Sequence, residues 1–288
     1  MRNYCTYFDI KYIRQGLALH ESMERHCQPY HLWILALCDD TWKLLTRHLL
    51  PNVTVVNLNA IETAKLEAAR PTRTWQEYIW TLTGTWMVWV MRRNELDHIN
   101  YMDADCYFFS DPQPVFDEIG DAPLGITPHR FPPHRKHFEV NGLFNVGLVY
   151  ANRQGLPCLE EWAAQTIEWC YNRSEDGKYA DQKYLDEWPE KWGAHSIQHL
   201  GANLAPWNQE QYEYTIQDRL LWVNTHPAME YEPPQLLGRL TWSHYPLIWY
   251  HFHQGFDPKW PIHPTLMEWA YPRYREAWKR YDNLILDV

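Results

Sequence analysis

The sequence has no long apolar run and no cysteine cluster. No segment carries about 18 consecutive uncharged apolar residues, so we expect no membrane-spanning helix, and a membrane role could only be peripheral. The six cysteines are scattered without a C-x-x-C pair, which argues against structural zinc and fits a reduced, cytoplasmic setting. The N-terminus lacks the apolar core of a secretory signal, so no leader is expected.

Positive charge is also scarce, because the formal net charge is -10 with His counted as neutral. Non-specific nucleic-acid binding needs a basic face, so nucleic acid is not an expected partner. Aromatic residues are abundant instead, with 17 Trp and 19 Tyr in 288 residues. Aromatic rings fill cores and also stack on sugars and bases. We therefore expect most of these rings in the core and a minority on a ligand-binding surface.

Segments typical of strands and helices alternate along most of the chain. Short apolar, β-branched or aromatic runs predict strands, and apolar residues at helical spacing predict helices. Such alternation predicts an α/β fold with a central, mostly parallel sheet flanked by helices. The predicted strands are 4–8, 32–37, 53–58, the segment around Asp103, 124–127 and 141–150; the predicted helices are 13–26, 42–49, 74–92, 156–171, part of 181–188, and 264–281, broken at Pro272.

The rest of the chain suggests one domain with a less regular C-terminal third. Thr74 and Glu77 have the spacing of a helix capping box. Beyond Gly201 the chain becomes rich in Pro and Trp, as in 202–208 and 231–234. Internal repeats and linker-like stretches are absent from the sequence. We expect a nucleotide-binding part in about residues 1–120 and an acceptor- and metal-side part in about 121–260.

Two carboxylates stand at the predicted carboxyl end of one strand, where ligands of such sheets bind. Asp103 and Asp105 are two residues apart in an extended segment, so both can point the same way. Carboxylates that close repel each other, and a hard cation such as Mg²⁺ or Mn²⁺ relieves the repulsion. The alternative is a solvated pair in a loop. The flanking runs are apolar, however, and a carboxylate at the end of a buried strand is costly unless a partner compensates its charge.

A second group of candidate ligands lies near the C-terminus. His251 and His253 share one face of a predicted strand end, and imidazole is a common metal ligand. Most histidines are neither ligands nor catalysts. One of these two together with the Asp pair would make a three-ligand site with positions left for a diphosphate.

Other candidates have a functional and an ordinary interpretation. Asp9 and Tyr12 follow the first predicted strand and suit a nucleobase, through hydrogen bonding and stacking, but also suit a plain turn with a core Tyr. Asp181 precedes a helical segment, where a carboxylate also serves as a cap. Four cations near the predicted ligand edge suit phosphates, a sugar or surface acids: Arg70, Arg73, His129 and Arg130.

Taken together, several blocks resemble the GT-A nucleotide-sugar glycosyltransferases, and most closely glycosyltransferase family 8, the glycogenin and lipopolysaccharide galactosyltransferase type. The resemblance covers nearly the whole chain, from Tyr4 to about Phe256, and is closer still to a bacterial branch of that type. The blocks are F-x-x-x-Y near the N-terminus, YMDADCYFFSDP, PHRFPP, FNVG, DQKYLDEW, GANLAPWN and HFHQG. The resemblance implies a GT-A fold, a single Rossmann-like domain, and transfer of a hexose from a UDP-sugar to an acceptor hydroxyl with retention of configuration. It also implies a Mn²⁺ or Mg²⁺ cofactor.

The resemblance assigns metal ligands and a catalytic pair. Asp103 and Asp105 match the metal-binding D-x-D motif. The late histidine ligand would be His251 or His253, and we favour His253 because a Gly follows shortly. Asp181 and Gln182 match the block beside the anomeric carbon and are the expected catalytic residues.

The resemblance also assigns residues to the donor. Asp9 and Tyr12 match the pair that contacts uracil, and Asn145 of FNVG would lie near the donor sugar. One departure concerns the distal phosphate: the family has a Lys-Pro-Trp block after the metal histidine, whereas the Pro206-Trp207 of this chain comes before it. The full set of expected donor-binding residues is Thr6, Phe8, Asp9, Tyr12, Arg73, Asp103, Ala104, Asp105, His129, Asn145 and Gly147.

Three rival functions use some of the same features. A sugar nucleotidyltransferase needs a Gly-rich N-terminal loop, but the stretch from Tyr4 to Tyr12 contains no Gly. A non-catalytic carbohydrate-binding protein would use the Trp-rich surface without needing the Asp pair or the DQ block. A metal-dependent hydrolase would need further close ligands, such as H-E-x-x-H, which the sequence lacks. The expected acceptor is a glycan or glycolipid of a bacterial surface, such as lipopolysaccharide, at the inner face of the membrane; the donor sugar and the oligomeric state stay open.

Overall fold

A seven-stranded sheet forms the centre of the molecule in the computed structural model, which describes residues 1–225, 244–253, 255–256 and 259–282. Within these residues the strands are β1 (Arg2–Phe8), β2 (Tyr30–Ala36), β3 (Val53–Asn57), β4 (His98–Met102), β5 (Cys106–Phe108), β6 (Leu124–Pro128), β7 (Phe144–Asn152), β8 (His195–Ser196), β9 (Tyr212–Gln217), β10 (Leu220–Thr225), β11 (His244–Pro246) and β12 (Trp249–His251). The α-helices are α1 (Ile13–His26), α2 (Asp39–His48), α3 (Ala64–Ala69), α4 (Trp75–Arg93), α5 (Gln113–Ile119), α6 (Leu156–Glu168), α7 (Trp188–Trp192) and α8 (Pro264–Arg280).

The order of strands in the main sheet is β3-β2-β1-β4-β7-β6-β8. The first four strands in this order, β3, β2, β1 and β4, run parallel to one another. Strand β7 runs antiparallel to both β4 and β6, and β8 is parallel to β6. The predicted mostly parallel sheet flanked by helices is therefore confirmed. Two small antiparallel sheets, β11-β10-β9 and β12-β5, complete the described strands.

Helices cover both faces of this sheet, as parallel strands require. On one face α4 packs against α6, and Trp86 and Trp162 are completely buried between them and the sheet. On the other face α1 packs against the sheet, with α8 packed on α1. The two helices α4 and α6 approach closely at Gly84, where an added Cβ would lie 2.9 Å from the backbone nitrogen of Ala163. The capping box expected at the start of α4 is formed by Thr74 and Glu77.

The C-terminal helix differs from the expectation. We expected a break at Pro272, but α8 runs from Pro264 to Arg280 with this proline inside it. A proline in a helix interior costs about 3 kcal/mol. The buried face of α8, which includes Trp269, Tyr271 and Tyr274, packs into an aromatic cluster that offsets this cost.

Three further expectations were wrong in detail. The helix expected over 156–171 ends at Glu168, and 181–188 contains the 3₁₀ segment Lys183–Glu187 rather than an α-helix. The irregular stretch expected after Gly201 contains the β9–β10 hairpin. Its two turn residues, Asp218 and Arg219, have φ values of 51° and 66°, and because neither is Gly or Asn the usual hairpin signal is missing from the sequence. The predicted irregular stretch 231–234 lies outside the described residues.

Among the described helices, none has both the length and the apolar character that a bilayer crossing requires.

Candidate functional site

A cavity of about 650 Å³ opens at the carboxyl ends of β1, β2 and β4. This is the edge at which open α/β sheets bind their ligands. Its walls also include the loop before β7, the segment 179–182 and the chain after β12. The lining residues are Tyr7, Phe8, Asp9, Lys11, Tyr12, Leu37, Trp75, Gln76, Ile79, Trp80, Tyr101, Asp103, Ala104, Asp105, His129, Phe131, Phe138, Asn141, Asn145, Val146, Tyr179, Ala180, Asp181, Gln182, Trp207, His251, His253, Lys259 and Trp260.

Strand pairing brings the Asp pair and the histidines together. Asp103 and Asp105 lie in the turn between β4 and β5, and β12 pairs antiparallel with β5 so that His251 stands opposite Cys106. The imidazole Nε2 of His251 is 3.0 Å from Asp105 Oδ1 and 3.6 Å from Asp103 Oδ2. Residues almost 150 positions apart in the sequence therefore converge on one end of the cavity.

Three of these side chains have the spacing of a metal site. Asp105, His251 and His253 each offer one ligand atom, and these atoms lie within 4.8 Å of one another. Asp103 is not part of this trio, and its Oδ1 accepts a hydrogen bond of 2.8 Å from the Tyr101 hydroxyl. Both candidate histidines belong to the trio, rather than His253 alone. The donor set of two imidazoles and one carboxylate suits Mn²⁺ better than Mg²⁺, which prefers oxygen ligands.

Gly147 leaves the space behind this cluster open. A Cβ on Gly147 would lie 2.7 Å from Asn145 Oδ1, 2.8 Å from Asn203 Oδ1 and 2.9 Å from His251 Nδ1. This Nδ1 is buried and has no hydrogen-bond partner among the described residues. Gly147 does not line the cavity, so it serves the site by the absence of a side chain and not by contact.

The two carboxylates of the Asp pair differ in their electrostatics. Desolvation raises the pKa of Asp103 to about 6, against the opposing effect of His251. Desolvation acts in the same direction on Asp105, but the charge and hydrogen bond of His251 outweigh it and lower the pKa of Asp105. Both carboxylates are therefore mostly ionised at neutral pH, but Asp103 takes up a proton first as the pH falls towards 6.

The end of the cavity near β1 carries the residues expected to bind a base. Asp9 follows β1, and its Oδ1 accepts from the backbone nitrogen of Lys11 at 2.9 Å. Its Oδ2 accepts from the indole nitrogen of Trp75 at 3.0 Å. Tyr12 is 46% exposed at this end. The partnership of Asp9 with Trp75, the first residue of α4, was not predicted.

Four further expected site residues also line the cavity: Asp181, Gln182, Asn145 and His129. Asp181 is 4% exposed, and burial raises its pKa to about 7. Gln182 Nε2 donates to the carbonyl of Asn141 at 2.8 Å, and Asn145 Oδ1 accepts from the backbone nitrogen of Gly147 at 2.8 Å. Burial lowers the pKa of His129 to about 3, so this imidazole is neutral at physiological pH. Asp181 does not cap a helix, because Gln182 is the cap of the following 3₁₀ segment.

Two predicted donor-binding side chains do not reach the cavity. Thr6 is completely buried on β1, and its carbonyl accepts from Trp86 Nε1 at 3.0 Å. Arg73 donates to the carbonyl of Ile167 at 2.6 Å and to the hydroxyl of Thr81. Arg73 thus ties the beginning of α4 to the end of α6 instead of facing a phosphate.

The other two arginines named for phosphates are also engaged elsewhere. Arg130 is buried and donates to the carbonyls of His199, at 3.2 Å, and Ala202. Arg70 pairs with Glu62 at 3.1 Å. Neither of them lines the cavity.

Two lysines that were not predicted to be phosphate ligands lie in the cavity wall instead. Lys11 lies in the turn after β1, and Lys259 lies beyond β12, next to Trp260. The sequence did hold a signal for Lys259, since Lys259-Trp260-Pro261 contains the residues of the expected Lys-Pro-Trp block in another order, shortly after His253.

No protein-family model matches this chain. The uncharacterized protein YfnD of Bacillus subtilis (strain 168) is 30% identical to it over 256 residues, which cover 86% of this chain and 82% of YfnD. The chain belongs to the YfnD family. A second protein of that strain, YfnF, is 28% identical to this YfnD-family chain over 240 residues and 79% of each chain.

Comparison with solved structures shows the fold. The galactosyltransferase LgtC, solved in complex with donor and acceptor sugar analogs, matches with a TM-score of 0.56 over 96% of this chain and 95% of LgtC, at 15% identity. The structure of an active-site mutant of LgtC gives the same TM-score and coverage, at 16% identity. The expected GT-A glycosyltransferase fold is therefore confirmed.

Proposed function

We propose that the protein is a metal-dependent glycosyltransferase that moves a hexose from a UDP-sugar to an acceptor hydroxyl, with retention of configuration. The observation that carries the proposal is the convergence of Asp105, His251 and His253 in one cavity that also holds Asp181 and Gln182. A candidate cation site and a carboxyl–amide pair in the same cavity suit a ligand with a diphosphate and a sugar. The GT-A fold shared with LgtC supports the same reaction class.

Asp105, His251 and His253 would hold Mn²⁺ or Mg²⁺, with Asp103 beside them. The mixed nitrogen and oxygen donors fit a transition-metal ion such as Mn²⁺. When bound, such an ion supplies Lewis-acid stabilisation of the charge on a leaving diphosphate. Lys259 and Lys11 bring positive charge to the same cavity and would contact phosphate oxygens that the ion does not neutralise.

At the β1 end, Asp9, Tyr12 and Trp75 would bind the base of the donor. The exposed rings of Tyr12 and Trp75 offer faces for stacking. Asp9 keeps lone pairs for the base, although each of its oxygens already accepts one hydrogen bond. Phe8 and Ala104 would complete this part of the wall.

Asp181 and Gln182 would flank the anomeric carbon, with Asn145 and His129 near the sugar. Asp181 would act as a nucleophile, as a stabiliser of an oxocarbenium-like centre, or as a group that orients Gln182 and the sugar. Fixing the acceptor hydroxyl close to C1 would supply much of the rate enhancement through positioning. Product anomericity by NMR tests retention, and an inverted product would contradict it.

We further propose that the acceptor is a glycan or glycolipid of a bacterial surface, such as lipopolysaccharide, which would place the reaction at the cytoplasmic face of the membrane. LgtC, which shares the fold, was solved with an acceptor sugar analog. The six cysteines are all free thiols, in keeping with a reducing compartment.

A thermal-shift panel of nucleotide sugars, each with and without Mn²⁺, tests the donor and metal assignments together. A ligand that binds only the folded state raises Tm by mass action. We expect a rise with UDP and a UDP-sugar only when Mn²⁺ is present, and slow release of UDP in the same mixture. Shifts with free sugars alone, without any effect of UDP or Mn²⁺, would favour a carbohydrate-binding protein instead.

A further inference from the structure

Two buried hydroxyl groups form a hydrogen-bonded row that ends at the Asp181 side chain. Thr83 Oγ1, on α4, is 2.9 Å from Asp181 Oδ2. The phenol oxygen of Tyr7, on β1, is 2.8 Å from the same Thr83 Oγ1. Thr83 is fully buried and Tyr7 is 8% exposed. Side chains from a strand, a helix and a loop thus meet in one hydrogen-bonded row.

The direction of these hydrogen bonds follows from the groups involved. An ionised carboxylate only accepts hydrogen bonds, so Thr83 donates to Asp181 when Asp181 is charged. Thr83 Oγ1 also lies 3.1 Å from the carbonyl of Trp80, but it has a single proton and the charged acceptor forms the stronger bond. Tyr7 must then donate to Thr83.

The backbone around this row is fixed independently of it. Trp162 Nε1 donates to the carbonyl of Asp181 at 2.8 Å. Gly84, next to Thr83, lies where α4 and α6 touch, so the helix has no room to shift at that point. The hydroxyl row therefore acts on the orientation of the Asp181 side chain and not on the position of its backbone.

We propose that Thr83 and Tyr7 are positioning residues that fix the orientation in which the Asp181 carboxylate faces the cavity. The proposal rests on the proposed function, in which Asp181 flanks the anomeric carbon. Asp181 lines the cavity and Thr83 does not, so Thr83 acts only through Asp181. A displacement of about 1 Å at a reacting centre can lower a rate by about 10²-fold, which makes the orientation of this carboxylate worth fixing.

Conservative substitutions at Thr83 separate positioning from packing. Thr83→Val removes the hydroxyl at nearly constant shape, and Thr83→Ser keeps it. Thr85→Val is the matched control, because Thr85 lies on the same helix and its buried hydroxyl has no hydrogen-bond partner among the described residues. Kinetics of UDP release and sugar transfer with Mn²⁺ give kcat and KM for each variant.

We expect Thr83→Val to lower kcat by about 30- to 100-fold while KM for the UDP-sugar stays within about 2-fold. The kcat of Thr83→Ser should stay within about 3-fold of the wild-type value, and that of Tyr7→Phe should be about 5-fold lower. The kcat of Thr85→Val should match the wild-type value. Equal losses in Thr83→Ser and Thr83→Val, or a wild-type kcat in Thr83→Val, would overturn the proposal.

Crystal structures of the wild type and of Thr83→Val provide a readout that does not depend on activity. We expect the Asp181 carboxylate to rotate in the variant while the bond from Trp162 to the Asp181 carbonyl persists. An unchanged carboxylate would refute the positioning role, even in a protein that transfers no sugar. Absence of UDP release from every UDP-sugar in the wild type would instead reject the proposed function and leave the crystallographic comparison decisive for Thr83.

Discussion

Asp105 and Asp181 are buried carboxylates of the same cavity, but their surroundings have opposite effects. Asp105 faces His251, which holds its pKa below the usual range in spite of burial. The Asp181 carboxylate accepts a hydrogen bond from the Thr83 hydroxyl, and burial raises its pKa to about 7. One carboxylate is therefore kept ionised, whereas the other is close to the balance between its two protonation states. Two residues of one type gain different roles from their neighbours alone.

The largest expected effect comes from neutralising the cation-facing carboxylate. Asp105→Asn should lower kcat/KM by at least about 10⁴-fold, because the charge that holds the metal is lost. Far-UV circular dichroism and Tm without metal should show an intact fold. Asp121→Asn, at an exposed position outside the cavity, is the control and should keep wild-type activity. Full activity in Asp105→Asn would remove the metal from the mechanism.

Sequence patterns located most of the site but not the groups around it. The D-x-D pair was singled out by its place at a predicted strand end, at the edge where such sheets bind ligands. Asn145 of FNVG and the DQ pair were assigned by the family resemblance, and they line the same cavity. Partners such as Trp75 for Asp9 and Thr83 for Asp181 depend on packing between distant segments, so no local pattern shows them.

Arg73 is a second example in which packing between distant segments decides the contacts of a side chain. Arg73 was expected near the ligand edge, but the direction of its side chain depends on how α4 packs against α6. The carbonyl of Ile167, at the end of α6, is a partner that only the assembled fold supplies. Helix positions were therefore easier to predict than the targets of long side chains.

The second effect concerns the pH dependence of stability that follows from the raised pKa of Asp181. The pKa of Asp181 is raised above its unfolded value, so folding takes up a proton between the two values and the free energy of unfolding falls as pH rises through about 7. Asp181→Asn removes this pH-dependent contribution to the free energy of unfolding. In metal-free protein, the difference in unfolding free energy between Asp181→Asn and wild type should grow by about 3 kcal/mol from pH 5 to pH 8.

Urea denaturation at a series of pH values measures this difference. Asp121→Asn, at an exposed position outside the cavity, is measured alongside as the reference variant. A constant difference between Asp181→Asn and the wild type would show that Asp181 is ionised normally, and the contrast with Asp105 would disappear.

The third effect distinguishes the two histidines of the metal cluster. His251 is buried and contacts both carboxylates of the Asp pair, whereas His253 is exposed. We expect His251→Gln to weaken Mn²⁺ binding in the presence of UDP by about 100-fold and His253→Gln by about 10-fold, as loss of a better-positioned ligand costs more. Isothermal titration calorimetry gives both values. The opposite order would make His253 the principal imidazole ligand.

The smallest effect should come from the lysine on the phosphate side. Lys259→Ala should raise KM for the UDP-sugar by about 10-fold with little change in kcat, and Lys259→Arg should recover part of the loss. Because the interaction is ionic, the ratio of KM between Lys259→Ala and the wild type should decrease at high salt. An unchanged KM at low salt in Lys259→Ala would exclude a phosphate contact.

A crystal structure with Mn²⁺ and UDP tests the central claim most directly, with anomalous scattering to locate the ion. We expect one Mn²⁺ peak bound by Asp105, His251 and His253, with diphosphate oxygens completing its coordination and the uracil near Tyr12. A cavity that binds UDP with no ion at these three side chains, or an ion bound elsewhere, would contradict the metal-dependent transferase.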